Sequence, residues 1–232
     1  FQIGAAHQQQ GNIQTALESY TTQRQQYPQA SLTPQAMLRA GEILLHRGDY
    51  KAARENFHDI EKHYKNSPVI GEALYLTGLT HLENKNYESA REYFNRSIEL
   101  AAETRLKQKS SLGLCRIMIE NNDHQQAIQR LNQIINQADN DINAEAQYLL
   151  GEASRGQGDL RSAAVAYLKV KYLYGSETGW AVRAVYQAAQ CYQELGRLDD
   201  AKRLYHSILQ DYPDFSSYTD KAKEKIKELA NL

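Results

Sequence analysis

The sequence predicts an all-α protein, a stack of about six helical hairpins plus a C-terminal capping helix. Three observations carry that expectation. Ala16, Ala53, Ala90, Ala127, Ala163 and Ala201 recur at intervals of 37, 37, 37, 36 and 38 residues, and self-similarity on that scale marks stacked supersecondary units. A turn lies three to five positions before each of these alanines, a small residue twelve before and a large one four after. Finally, 4 prolines and 13 glycines in 232 residues are too few for an all-β chain, while long stretches rich in Ala, Leu, Gln, Glu, Lys and Arg favour helix.

Unit one, residues 1–33, holds Gly4, the turn Gly11-Asn12, Ala16 and Tyr20, and ends in Tyr27-Pro28. Phe1 falls at the fifth repeat position, so the chain is expected to be part of a longer protein, and the lack of a leader segment then says nothing about compartment. Unit two, 34–70, opens with PQAMLRAGEILLHR, apolar at Met37, Leu38, Ile43, Leu44 and Leu45; Gly48-Asp49 breaks it, and a second helix carries Ala53 and Phe57 to about Tyr64. Unit three, 71–107, contains EALYLTGLTHLENK, apolar nearly all round, then Lys85-Asn86, Ala90 and Phe94. Unit four, 108–143, has Ser110, Cys115, Asn122-Asp123, Ala127 and Leu131. Unit five, 144–181, has Ala146, Gly151, Gly158-Asp159, Ala163 and Tyr167; unit six, 182–218, has Ala184, Ala189, Gly196-Arg197, Ala201, Tyr205 and Tyr212-Pro213. Residues 219–232 place Ala222, Ile226 and Leu229 on one stripe with charge elsewhere, as a cap with a wet outer face requires.

The small columns are expected where helices cross closely, leaving room for an opposing backbone, and the large residues are expected to fill the space between successive hairpins. A hairpin cannot bury both faces alone, so it stacks on its neighbours. Between the phrases GDYKAARENF and GDLRSAAVAY, Lys51, Arg54 and Glu55 become Arg161, Ala164 and Val165, positions expected to vary freely on the outer side.

Leu150-Gly151, Ala53-x3-Phe57 and the Tyr-Pro endings resemble pieces of the tetratricopeptide repeat (TPR) signature, and the resemblance covers essentially the whole chain. It implies a right-handed TPR solenoid, one array over residues 1–232. The leading Trp of the signature is replaced throughout, with Trp180 just outside its column, and the period is near 37. That length, with Tyr-Pro endings, is similar to TPR proteins of the Gram-negative cell envelope, such as the Tol–Pal-associated periplasmic protein and the outer-membrane β-barrel assembly lipoprotein. The resemblance therefore implies a scaffold in a periplasmic or outer-membrane-associated complex.

Residue chemistry gives little else. A net charge of −1 offers no electrostatic reason to bind nucleic acid, and no run of 18 apolar residues exists to span a bilayer. None of the 7 histidines has metal-site spacing, and His7 and His81 occupy a slot usually held by a packing Tyr. GEASRGQG, 151–158, lacks the Gly-Lys-Ser/Thr ending of a phosphate loop, and Asn95-Arg96-Ser97 is a glycosylation match inside a helix. Cys115 and Cys191, two repeats apart, read as small core residues rather than a disulfide. No Ser-His-Asp or Cys-His set has a local signature, so neither enzyme activity nor a cofactor is expected.

A protein or peptide segment is the expected partner. In the family the first helix of each pair lines the concave surface, through repeat positions 2, 5, 9 and 12. Transferred here, the resemblance implies a groove formed by Leu38, Glu42, Tyr75, Leu79, Leu82, Leu112, Arg116, Tyr148, Glu152, Tyr186 and Gln190. The family's carboxylate clamp is absent: its places hold Leu38-x3-Glu42, Leu76 or Gly113, and Lys109-x3-Gly113 or Arg183-x3-Gln187. The nearly all-apolar helix around Tyr75, Leu79 and Leu82 leaves two readings open, cover by a partner or burial by the chain itself. Association of copies with one another, or packing as a subunit of a larger complex, is the competing expectation.

Overall fold

The structure, a computed structural model, describes residues 1–135 and 137–230, and among these all regular structure is helical. Six hairpins follow one another: α1 (Gln2–Gln9) with α2 (Ile13–Gln26), α3 (Thr33–His46) with α4 (Tyr50–His63), α5 (Ile70–Glu83) with α6 (Tyr87–Leu100), α7 (Thr104–Glu120) with α8 (His124–Ile134), α9 (Asn140–Gly156) with α10 (Leu160–Leu173), and α11 (Thr178–Glu194) with α12 (Leu198–Asp211). The final helix, α13, runs Ser216–Ala230. The chain packs as two compact units, Phe1–Leu114 and Cys115–Leu232.

One turn closes every hairpin. The first helix ends in a residue of left-handed backbone conformation, and the next N–H returns to the carbonyl five residues back. Asp49 bonds Leu44 in this way at 2.9 Å, Asn86 bonds His81 at 2.9 Å and Asp159 bonds Ser154 at 3.0 Å. Glycine holds the left-handed place in four hairpins, but Lys85 (φ 58°) and Asn122 (φ 64°) hold it in α5/α6 and α7/α8. Asn tolerates this region through its short polar side chain; Lys has no such relief. Asp49 and Asp159 then accept from Ala52 N–H (3.3 Å) and Ser162 N–H (3.0 Å), capping α4 and α10. The Gly-Asp pair thus ends one helix and starts the next.

The repeat columns meet inside each hairpin. A Cβ placed on Gly4 would lie 2.6 Å from the Tyr20 ring, on Gly41 2.3 Å from Phe57, on Gly78 2.7 Å from Phe94, and on Gly151 2.5 Å from Tyr167. The small residue therefore makes room for its own hairpin's ring, where the sequence suggested room for a backbone. The large residues likewise pack within hairpins first, although Phe94 also reaches the next hairpin, 2.5 Å from a Cβ placed on Gly113. Where Cys115 replaces the glycine, the partner is the smaller Leu131, and both are fully buried. Tyr hydroxyls at this site find acceptors: Tyr20 donates to Gln8 Oε1 at 3.0 Å, Tyr205 to Gln193 Oε1 at 3.3 Å, and Tyr167 to the Glu152 carboxylate.

Hairpin ends differ in a patterned way. α2, α4, α10 and α12 stop at Tyr27, Tyr64, Tyr174 and Tyr212, with φ of −131°, −133°, −129° and −133°. α6 ends instead at Ala101, whose Cα would lie 3.0 Å from a Cβ on Gly71. Beside it Ser97 donates to the Gly71 carbonyl (2.8 Å) and Ser110 to Ser97 (2.9 Å), so the sequon serine is a buried structural hydroxyl. In the second unit, Ala222, Ile226 and Leu229 of α13 face the core formed by Val185, Ala189 and Tyr205.

Two substitutions test these constraints. Gly41→Ala should lower stability by about 1–3 kcal/mol through overpacking against Phe57. Adding Phe57→Leu, which copies the Cys115/Leu131 pairing, should recover part of that loss, and a denaturant double-mutant cycle reads the coupling. Lys85→Gly should raise stability by about 1 kcal/mol by relieving the left-handed backbone, visible as a higher thermal midpoint.

Candidate functional site

The first helices of successive hairpins present one face in each unit. In the first unit, Leu38 and Leu112 are each 1% exposed and belong to the core, so they offer no surface to a ligand. Glu42, Tyr75, Leu79 and Leu82 are half-buried. Arg39 donates to Glu42 at 2.7 Å, and the Tyr75 ring packs 6.0 Å from Phe94. Tyr75 and Leu79 pack against the core of α3–α5. Burial by the chain itself thus accounts for much of the all-apolar character of α5. Glu72, next to this group, has its carboxyl pushed above the ordinary range by burial and then by Glu42, with Arg39 and Lys109 opposing.

The second unit carries more chemistry. Arg116 pairs with Glu145 at 2.8 Å. Tyr148 lies between Tyr167 (5.4 Å) and Trp180 (5.3 Å), and Arg183 sits over Trp180 at 5.2 Å. Tyr186 packs on Tyr205 (5.7 Å) and edge-on to Tyr218 of α13 (5.8 Å). Arg155 reaches across to α11, donating to Gln187 (2.6 Å), Gln190 (3.5 Å) and the Glu194 carboxylate. Burial, followed by the neighbouring Glu152 carboxylate, raises the phenol pKa of both Tyr148 and Tyr167. These tyrosines are therefore neutral hydrogen-bonding groups at any working pH. The result is a row of aromatic side chains with Arg183 over Trp180 and the Arg155 hydrogen-bond cluster on the same two helices.

Sequence reasoning placed Arg116, Tyr148, Glu152, Tyr186 and Gln190 on this face and left out Glu145, Trp180, Gln187 and Tyr218. Position 2 of the repeat, read as Glu72, Lys109, Glu145 and Arg183, would have supplied the charged partners. Trp180 and Tyr218 lie outside the repeat columns, so no register argument reaches them.

The remaining chemical candidates take structural places. The imidazole of His81 stacks on Tyr93 at 5.3 Å and 11°, with its pKa lowered by burial and then by Arg54. Ser154 of GEASRGQG lies on α9 and donates to the Leu150 carbonyl at 2.8 Å. Cys115 and Cys191 are buried free thiols, and burial pushes them up to about 12 and about 11. Among the described residues no cluster of His, Cys, Asp and Glu could hold a metal, and no helix is long and apolar enough to cross a membrane.

Six hairpins with a shared turn, a shared pairing of a small with a large residue and a repeated first-helix face define a helical-repeat protein. The model of the tetratricopeptide repeat-like domain matches residues 13–177 and that of the tetratricopeptide repeat matches 183–214, so the chain belongs to the TPR family. No curated protein matches it. Among solved structures it is similar to a Rap protein complexed with competence and sporulation factor, at 14% identity and a TM-score of 0.75, covering 94% of this chain and 67% of that one. PilF of Pseudomonas aeruginosa is similar at 15% identity and a TM-score of 0.66, covering 96% and 95%. YrrB, described as a TPR protein with an unusual peptide-binding site, gives 15% identity and a TM-score of 0.53, covering 89% and 99%. At these identities the likeness is one of fold.

Two measurements probe these environments. The raised Glu72 pKa means that the folded state holds this proton to higher pH than the unfolded chain does, so ionisation costs stability at neutral pH. Glu72→Gln should therefore raise the thermal midpoint at pH 7, with the gain vanishing below about pH 4. Native protein at pH 8 should leave its 2 thiols unlabelled by a disulfide reagent, both reacting once denaturant is added.

Proposed function

We propose that the chain is a protein-interaction scaffold that holds a segment of another protein against its first-helix face. The observation that carries this reading is the row Tyr148, Trp180, Tyr186 and Tyr218 in the second unit, with Arg155, Gln187 and Gln190 alongside. Tyr and Trp supply large contact area at low entropic cost, and side-chain amides can bond the backbone of a bound segment. The mixed polarity of the row suits a segment of mixed sequence better than an acidic tail. Ligand recognition by proteins of similar fold supports the same reading: the Rap protein is complexed with competence and sporulation factor, and YrrB is described as having an unusual peptide-binding site.

The proposal extends to the setting. A repeat near 37 residues with Tyr-Pro endings supports a place in a bacterial envelope complex. Photo-crosslinking tests both parts. Benzoylphenylalanine at Gln190 or Glu42 should give a discrete adduct with one partner in extracts of the source organism, and at Lys51 on α4 should give none. Equal adducts from all three positions would remove the first-helix assignment. A partner found only in the soluble cytoplasmic fraction would remove the envelope setting and leave the binding face standing.

A further inference from the structure

A second site is defined by places where the fifth hairpin departs from its own repeat. One position after the small column near the start of each first helix, α3, α5 and α11 carry Met37, Leu74 and Val185, at 1%, 1% and 0% exposure, while α7 carries the short, half-buried Ser111. In α9 the same position is Gln147, 3% exposed, and its Nε2 is buried without a hydrogen-bond partner. A buried amide donor left unmatched costs free energy that an apolar residue at this position would not incur. Folding supplies no reason for the exchange, and the side chain lines a groove of about 520 Å³ between α8 and α10, with α9 as its floor.

The groove wall shows a matching departure. Two positions after the repeat alanine, where second helices face solvent, the chain reads Glu18, Glu55, Glu92, Gln129, Val165 and Arg203. Only α10 is apolar there, and Val165 is 53% exposed at the groove. Seven residues on, Tyr172 (71% exposed) takes a place held by Gln25, Lys62, Glu99 and Gln210 in other hairpins, and Leu173 beside it is 62% exposed. Residues seven apart share a helix face, so the apolar stripe extends roughly 10 Å beyond the groove along α10. Ile128, Leu150 and Ala166 complete the apolar lining, and Arg161 and Lys169 stand exposed at the rim.

We propose that this second-helix groove is a docking site for an acidic, amphipathic segment of a partner protein. The segment's apolar side chains cover Ile128, Leu150 and Val165, and continue onto Tyr172. A carboxylate or side-chain carbonyl accepts from Gln147 Nε2, with Lys169 and Arg161 favouring a carboxylate. Arg161 and Lys169 outnumber Asp159, the one acidic side chain lining the groove, which caps α10 through Ser162 N–H at 3.0 Å, so the net charge of the lining is positive. The stripe running past the groove favours a peptide over a compact small molecule. The site opens between the second helices α8 and α10 over the floor formed by α9, and it uses none of the side chains of the first-helix face proposed above.

Selection from a random dodecapeptide library on the intact protein tests the assignment, with binding of synthesised hits measured by fluorescence anisotropy. The expected hits carry Asp or Glu among apolar residues at helical spacing. Their affinity should fall about tenfold with Gln147→Leu or Lys169→Glu, and further with Val165→Glu, while Tyr186→Ala leaves it unchanged. Gln147→Leu should also raise the thermal midpoint of the free protein, which shows that its lost affinity is not misfolding. Hits that respond to Tyr186→Ala and not to Val165→Glu would overturn this site and support the first-helix face. No enrichment over a Val165→Glu/Lys169→Glu control would overturn it outright. A concentration-dependent dimer in sedimentation, abolished by Val165→Glu, would reassign the groove to a second copy of the chain.

Discussion

The fold depends on one contact, repeated: an aromatic or leucine side chain seated where its hairpin partner has no bulk. With a Cβ at Gly41 only 2.3 Å from the Phe57 ring, the two helices of that hairpin cannot keep their distance if the small residue grows. The closeness of the pair places Ala53 at zero exposure and brings α3 and α4 into contact along their length. Everything on the first-helix face inherits its position from this contact. Tyr75, Tyr148 and Tyr186 each rest against the ring of their own hairpin, Phe94, Tyr167 and Tyr205, at 6.0, 5.4 and 5.7 Å. The surface tyrosine is held by the buried one, and its orientation is fixed before any ligand arrives.

Much of this was legible because a repeat is an alignment contained in one chain. The turns, the alanine column and the small–large pairs emerged from register alone, and the structure assigns each a physical job. The jobs were less legible than the columns. The glycines of this column accommodate rings and not backbones, because the ring sixteen residues on packs against the glycine of its own hairpin. Leu38 and Leu112 share a repeat position with Tyr75, Tyr148 and Tyr186, yet are 1% exposed. A leucine there ends in the core, whereas the longer tyrosine reaches past it to the surface. Position alone did not separate the two outcomes; side-chain length did.

Departures from the repeat carry different information from the repeat itself. Lys85 in a left-handed turn is a local cost with no partner in view. Gln147 and Val165 are two departures in one hairpin that converge on one groove: a buried amide without a partner where Met37, Leu74 and Val185 are apolar, and an apolar residue where the other hairpins are polar. Comparing GDYKAARENF with GDLRSAAVAY, the change of Glu55 to Val165 looked like free drift on an outer face. Only the burial of Gln147 beside it gives the change a direction.

The shared contact also governs how such an array can change length. From the small residue to its ring partner the spacing is 16 residues in all six hairpins, from Gly4–Tyr20 to Ala189–Tyr205. From each large residue to the next small one it is 21, 21, 21, 20 and 22. Every insertion or deletion that distinguishes the repeats therefore falls between one large residue and the next small one, with one residue fewer from Leu131 to Gly151 and one more from Tyr167 to Ala189. A residue added inside a hairpin would turn the ring away from its glycine, whereas one added in a linker leaves both neighbouring hairpins intact. The array grows and drifts at its joints, and the hairpin is the unit that is copied whole.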